Sequence, residues 1–131
     1  MYNFLHRHIR AIALVTWMII IFIGSSIPGE DMPPNMPPDY TLHFIEYAIF
    51  GGLAYWWAFG DVFKGIKIPS MLVASILCST YAITDEVHQF FVPGRVMDPM
   101  DWFADTLGAL FGAFCVMLFL SFKRIDYGTS R

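Results

Sequence analysis

The chain has 131 residues, of which 56% are apolar, 18% are aromatic and only 15% are charged. Soluble domains carry about 45–50% apolar and about 25% charged residues, so this composition excludes disorder and disfavours a small soluble domain. The net charge of −3 has the wrong sign for nucleic-acid binding, and no nucleic-acid partner is expected. The composition instead indicates an integral membrane protein with lipids as partners.

Four apolar runs of about 20 residues predict four transmembrane helices, an all-α polytopic bundle that forms one domain over residues 1–131. They cover roughly 9–27, 42–60, 69–91 and 102–122. The first run also has the features of a cleavable signal peptide, which stays an alternative for that segment. Retaining it gives an even number of spans. The sequence leaves the oligomeric state open.

The distribution of Lys and Arg predicts the orientation of the bundle in the plasma or inner membrane. Seven of the eight basic residues lie in the two terminal tails and the 61–68 loop, namely Arg7, Arg10, Lys64, Lys67, Lys123, Arg124 and Arg131. The loops at 28–41 and 92–101 contain one basic residue, Arg95. Both termini are therefore predicted to be cytoplasmic. The proline-rich segment 28–38 predicts an extended cover on the extracytoplasmic side, and Pro93-Gly94 predicts a turn.

Three of the predicted spans carry polar residues at their extracytoplasmic ends, at helical spacings that put several on one face. They are His43, Glu46 and Tyr47 in the second span, Asp85, Glu86 and Gln89 in the third, and Asp101 and Asp105 in the fourth. An unpaired charge at mid-bilayer costs about 2.5–3.5 kcal/mol, so these groups must face one another, water or a ligand. They predict one outer-leaflet polar site, with a hydrogen-bonded structural network as the alternative. Gly108 and Gly112 continue the Asp101–Asp105 face and predict close approach of another helix, within the bundle or between protomers.

Three motifs in these segments resemble those of the VanZ-like family. They are Asp39-x-x-x-His43-Phe44-x-x-Tyr47, Asp85-Glu86-x-x-Gln89-x-Phe91-x-Pro93-x-Arg95 and Asp101-x-x-x-Asp105-x-x-Gly108-x-x-x-Gly112. Two positions depart from the family pattern, which often has Lys in place of Tyr40 and usually has Asn in place of Asp105. The family is named for a teicoplanin-resistance protein. The resemblance implies a small integral membrane protein of the cell envelope, which in the original case lowers susceptibility to a lipoglycopeptide antibiotic. It implies no established reaction.

A ligand-binding membrane module is the first function that these features indicate. The ligand would be lipid-linked or amphiphilic, such as a lipoglycopeptide, and Arg95 would present a planar donor fork to its phosphate or carboxylate. The expected ligand-binding residues are His43, Glu46, Tyr47, Asp85, Glu86, Gln89, Arg95, Asp101 and Asp105.

A membrane-embedded enzyme acting on a lipid headgroup is the alternative. Its candidate catalytic residues are His43, Asp85, Glu86, Asp101 and Asp105. The carboxylates suit a divalent cation such as Mg²⁺ or Ca²⁺, and His43 with Asp85 or Glu46 suits general acid–base chemistry. No known catalytic signature accompanies them. A proton-coupled transporter is a lesser alternative, since the cytoplasmic halves of spans two to four contain no ionisable residue.

Overall fold

The computed structural model describes residues 2–33, 35, 38–59 and 69–129, with side chains described between residues 5 and 122. Its helices are α1 (Tyr2–Ser25), α2 (Asp39–Phe59), α3 (Ser70–Gln89) and α4 (Pro99–Thr129), and a 3₁₀ turn covers Gly29–Asp31. The prediction of an all-α protein with four long helices is confirmed. The 61–68 loop, with Lys64 and Lys67, lies outside the described residues.

Local sequence signals explain where α3 and α4 begin. Pro69 precedes α3 with φ −59° and ψ 132°, an extended conformation in which a proline is unstrained. Asp98 caps α4, because its Oδ1 accepts a hydrogen bond of 2.8 Å from the Met100 backbone N–H. Pro99 then occupies the first helical position, where its missing N–H costs nothing. α4 therefore starts a few residues before the apolar run that it contains.

The outside of the bundle is apolar, and its inside combines an apolar core, which includes Ile21, Phe50 and Cys78, with a smaller set of buried polar side chains. Large exposed side chains include Ile12, Ile19 and Ile23 on α1, Ile76 and Ile83 on α3, and Phe111 and Phe119 on α4. Of the described residues, the segments Leu5–Ser25 and Pro99–Phe122 are long and apolar enough by composition to cross a membrane. An apolar exterior around buried polar groups is the arrangement that lipid, rather than water, favours as a solvent. These features suggest a membrane protein.

The closest helix contact is the crossing of α2 and α4, and glycines make it possible. A Cβ atom at Gly108 would collide with the carbonyl oxygen of Phe44, and one at Gly112 with that of Ala48. From the other side, a Cβ at Gly51 would meet the backbone of Ala109. The small residues predicted to allow close approach thus pack within the chain, against α2.

α1 is attached to α2 and α3 by hydrogen bonds to backbone carbonyls. The Trp17 indole donates to the carbonyl of Glu46 at 3.1 Å, and the Tyr81 hydroxyl donates to the carbonyl of Met18 at 2.7 Å. These bonds hold the polar ends of α2 and α3 against α1. α1 therefore forms one wall of the region described below.

The segment after α1 lies against the loop between α3 and α4. The Gly29 N–H donates to the carbonyl of Pro93 at 3.0 Å, and Gly94 adopts a φ of 72° at the predicted Pro93-Gly94 turn. Pro28 and Met32 have the extended angles predicted for this segment, whereas Gly29–Asp31 between them forms the 3₁₀ turn. The two loops together close one end of the bundle.

Candidate functional site

Buried polar side chains gather at the end of the bundle that these two loops close. Three helices contribute them, from the N-terminal turns of α2 and α4 and the C-terminal half of α3. We call this set the polar cluster, and it consists of His43, Asp85, Glu86, Gln89, Asp101 and Asp105. The structure therefore brings together residues that the sequence placed at the same depth on separate helices.

His43 is the centre of the polar cluster. Its Nδ1 lies 2.9 Å from Oδ1 of Asp105, and both side chains are buried. Its Nε2 lies 3.9 Å from Oδ1 of Asp39 and 4.0 Å from Oδ2 of Asp101. The carboxylate that orients the imidazole is thus Asp105, from α4, and the two candidate partners considered from the sequence, Asp85 and Glu46, do not occupy that position.

Gln89 links Arg95 to Asp85. The Nε and Nη2 of Arg95 donate to Oε1 of Gln89 at 3.1 and 2.6 Å, and Gln89 Nε2 donates to Oδ2 of Asp85 at 3.2 Å. Nη2 also lies 3.9 Å from Oδ2 of Asp39, and only 8% of the Arg95 side chain is exposed. The guanidinium is therefore held in a fixed orientation over the mouth of the cluster.

Glu86 has a different role from its neighbour Asp85. One of its oxygens, Oε2, accepts a hydrogen bond of 2.9 Å from the backbone N–H of Asp98, just before α4. On an ideal helix Glu86 points about 100° away from Asp85. It is nevertheless buried, because the loop leading into α4 folds over that face of α3.

Three buried polar atoms in this region have no hydrogen-bond partner among the described residues. They are Oε1 of Glu86, Oδ2 of Asp105 and the hydroxyl of Tyr47. Leaving such a group unsatisfied costs about 1–3 kcal/mol. The described protein groups therefore do not by themselves satisfy these three atoms, which can be paired with a buried water, an ion or a ligand atom.

A cavity of about 340 Å³ opens beside the polar cluster. Its polar lining residues include Asp39, His43, Glu46, Asp85, Gln89 and Arg95, and its apolar lining residues include Trp17, Ile45 and Ile49. Asp101 lines a second cavity of about 450 Å³ toward the loops, which shares Asp39 and Arg95 with the first. Neither of these two cavities is lined by Tyr47, Glu86 or Asp105.

Two polar residues have positions that the sequence did not indicate. Asp39, half exposed, was not among the expected site residues, although its spacing of four from His43 would have predicted that they share a helix face. His88 lies apart from the cluster, because its Nε2 is 2.9 Å from the Ser26 hydroxyl and its ring stacks on Phe22. His88 therefore joins α3 to α1.

The fold and the site together define a small four-helix protein with an apolar exterior and a polar cluster shared by three helices. The family model described as VanZ/LLP1 matches residues 10–120, and the chain belongs to this family. The resemblance seen in the three sequence motifs is thereby confirmed. No curated protein and no solved structure matches the chain.

Proposed function

We propose that the chain is a four-span protein of the cell envelope whose polar cluster faces the extracytoplasmic side. The apolar exterior of the bundle supports crossing by all four helices. The α2 and α3 helices carry more polar residues than α1 and α4, but His43, Asp85, Glu86 and Gln89 are buried inside the bundle and not turned toward lipid. The excess of Lys and Arg in the tails and the 61–68 loop supports cytoplasmic termini.

The cavity of about 340 Å³ binds an amphiphile, and its lining of both apolar and charged residues is the observation that supports this function most directly. Trp17, Ile45 and Ile49 offer an apolar surface to a hydrocarbon chain. The polar lining residues offer hydrogen-bonding and charged groups to a headgroup. Binding sites of this kind are typically apolar pockets with a few polar groups that orient the ligand.

The lining charges indicate what the headgroup contains. Arg95 suits a phosphate or carboxylate, since its planar guanidinium can donate to two oxygens at once. Asp39, Glu46 and Asp85 suit hydroxyl or amino groups, which donate hydrogen bonds to carboxylates. A headgroup with both an anionic group and donors, as in a lipid-linked envelope intermediate or a lipoglycopeptide, matches this lining. Teicoplanin is the lipoglycopeptide to test, because the family to which the chain belongs is named for a teicoplanin-resistance protein.

Replacing Arg95 with alanine should weaken binding of a short-chain phosphatidylethanolamine by about 10- to 100-fold, because a charge-assisted hydrogen bond is lost. The probe carries the phosphate and the amine that the lining predicts. Affinity would be measured by titration calorimetry on the detergent-purified chain. Arg95→Lys, which keeps the charge but not the fork, should give an intermediate value.

Arg7→Ala is the matched control, since it removes an exposed Arg from α1 at the opposite end of the bundle and should leave affinity unchanged. Dihexanoylglycerol, which lacks the headgroup, should bind weakly and without dependence on Arg95. In cells that express the chain, Arg95→Ala should also abolish any protection against teicoplanin while the protein level stays normal. Equal affinity of the Arg95→Ala and unsubstituted chains would remove Arg95 from the binding site.

A further inference from the structure

We propose that His43, Glu86 and Asp105 bind one Zn²⁺ ion between α2, α3 and α4. Each residue offers one ligand atom, these three atoms lie within 4.8 Å of one another, and all three residues are buried. Around a tetrahedral Zn²⁺ ion with bonds of about 2.0–2.2 Å, ligand atoms lie about 3.3–3.6 Å from one another, so the widest separation would have to close by no more than about 1.5 Å. Nδ1 of His43 and Oδ1 of Asp105 are 2.9 Å apart, so this pair would have to open by about 0.5 Å to hold the ion between them.

The unpartnered carboxylate oxygens are a second, separate indication of an ion. Glu86 is 4% exposed and Asp105 is 0% exposed, and one oxygen of each has no hydrogen-bond partner among the described residues. Two buried carboxylates next to one another are costly without a counter-charge. A divalent cation would supply that charge and would satisfy both oxygens by coordination.

The chemistry of the three ligands selects the kind of ion. Ca²⁺ takes six to eight oxygen ligands, and Mg²⁺ prefers an octahedral shell of oxygens with several waters. Imidazole nitrogen together with carboxylate oxygen suits Zn²⁺ better. The carboxylates alone indicated Mg²⁺ or Ca²⁺. The position of His43 among them changes the expected ion to Zn²⁺.

This site goes beyond the binding of an amphiphile and does not depend on it. Glu86 and Asp105 lie outside the lining of the 340 Å³ cavity, whereas His43 belongs to both. Three protein ligands leave the fourth position of a tetrahedral Zn²⁺ ion for a water molecule or a ligand atom, as in zinc sites that carry out chemistry. An ion here would adjoin the cavity.

Metal content of the full chain, purified in mild detergent without added amphiphile, tests the proposal. After stripping with EDTA and dialysis, calorimetric titration with Zn²⁺ should give one ion per chain. Glu86→Gln and Asp105→Asn should each weaken Zn²⁺ binding by about 100-fold or more. Asp31→Asn, an exposed acid in the 3₁₀ turn, should leave affinity unchanged.

Titration of the unsubstituted chain with Co²⁺ gives a readout that does not depend on the stability of any variant. A tetrahedral site should produce the intense visible absorption of four-coordinate Co²⁺, and Zn²⁺ should remove it. Absence of Zn²⁺ binding and of the Co²⁺ spectrum would overturn the proposal. Loss of binding in Asp39→Asn as complete as in Glu86→Gln would also overturn it, because the ion would then sit between Asp39, His43 and Asp101.

Discussion

Replacing Gly112 with alanine should lower the free energy of unfolding by about 1–3 kcal/mol, although alanine is the better helix former. The reason is the crossing of α2 and α4, where a Cβ atom on Gly112 would collide with the carbonyl oxygen of Ala48. A backbone carbonyl cannot move aside as a flexible side chain can, so the helices must separate. Gly112→Leu should have a larger effect in the same direction.

Gly24→Ala is the matched control for this prediction. A Cβ atom on Gly24 would come no closer than 3.8 Å to Oε1 of Glu46, which is an ordinary contact. The change should be neutral or should stabilise α1 by up to about 1 kcal/mol. Reversible unfolding in detergent, followed by loss of helical circular dichroism, would compare the two variants. Equal stability of Gly112→Ala and Gly24→Ala would contradict the α2–α4 crossing.

The second large effect is expected at the pair of His43 and Asp105, measured in the presence of EDTA so that no ion contributes. His43→Leu should destabilise the chain by about 3–5 kcal/mol, because it leaves a fully buried carboxylate without its partner. Asp105→Leu should cost less, since an imidazole can remain neutral. The loss of unfolding free energy in the double variant should be about 1–3 kcal/mol smaller than the sum of the losses in the two single variants.

The pair of Ser26 and His88 serves as the control cycle, because it joins α3 to the residue after α1 at the same distance of 2.9 Å but is only partly buried. Its coupling energy should stay within about 1 kcal/mol. Each single and double variant would be unfolded under identical detergent conditions. Additivity of His43→Leu and Asp105→Leu to within about 0.5 kcal/mol would show that the two side chains do not interact as described.

The number of helices and the end of each helix that carries the polar residues could be predicted from the sequence. Apolar runs mark the helices, and a spacing of three or four residues puts His43 and Tyr47 on one face of α2. The same rule puts Asp101, Asp105, Gly108 and Gly112 on one face of α4. It depends only on the geometry of a single helix, so no tertiary contact is needed to apply it.

The partners of these residues could not be predicted in the same way. Spacing within α2 and α3 is compatible with His43 facing Asp85, Glu46 or another acid, whereas the structure pairs it with Asp105. Glu86 would point away from the Asp85 face, yet the loop before α4 covers it and makes a hydrogen bond to it. Gln89 receives the Arg95 guanidinium because that loop folds back over the end of α3.

The sequence by itself therefore determined the low charge content, the separation of basic from acidic residues along the chain, the four helices and the three of them that carry the polar cluster. Only 15% of the residues are charged, and most of the acidic ones fall in the segments that form one end of the bundle. The tertiary structure decided which of them meet, which oxygens stay without partners and where the cavity opens. Those outcomes depend on how far each helix is rotated and how closely it approaches its neighbours, and the close approach of α2 and α4 at Gly108 and Gly112 sets the position of Asp105 beside His43.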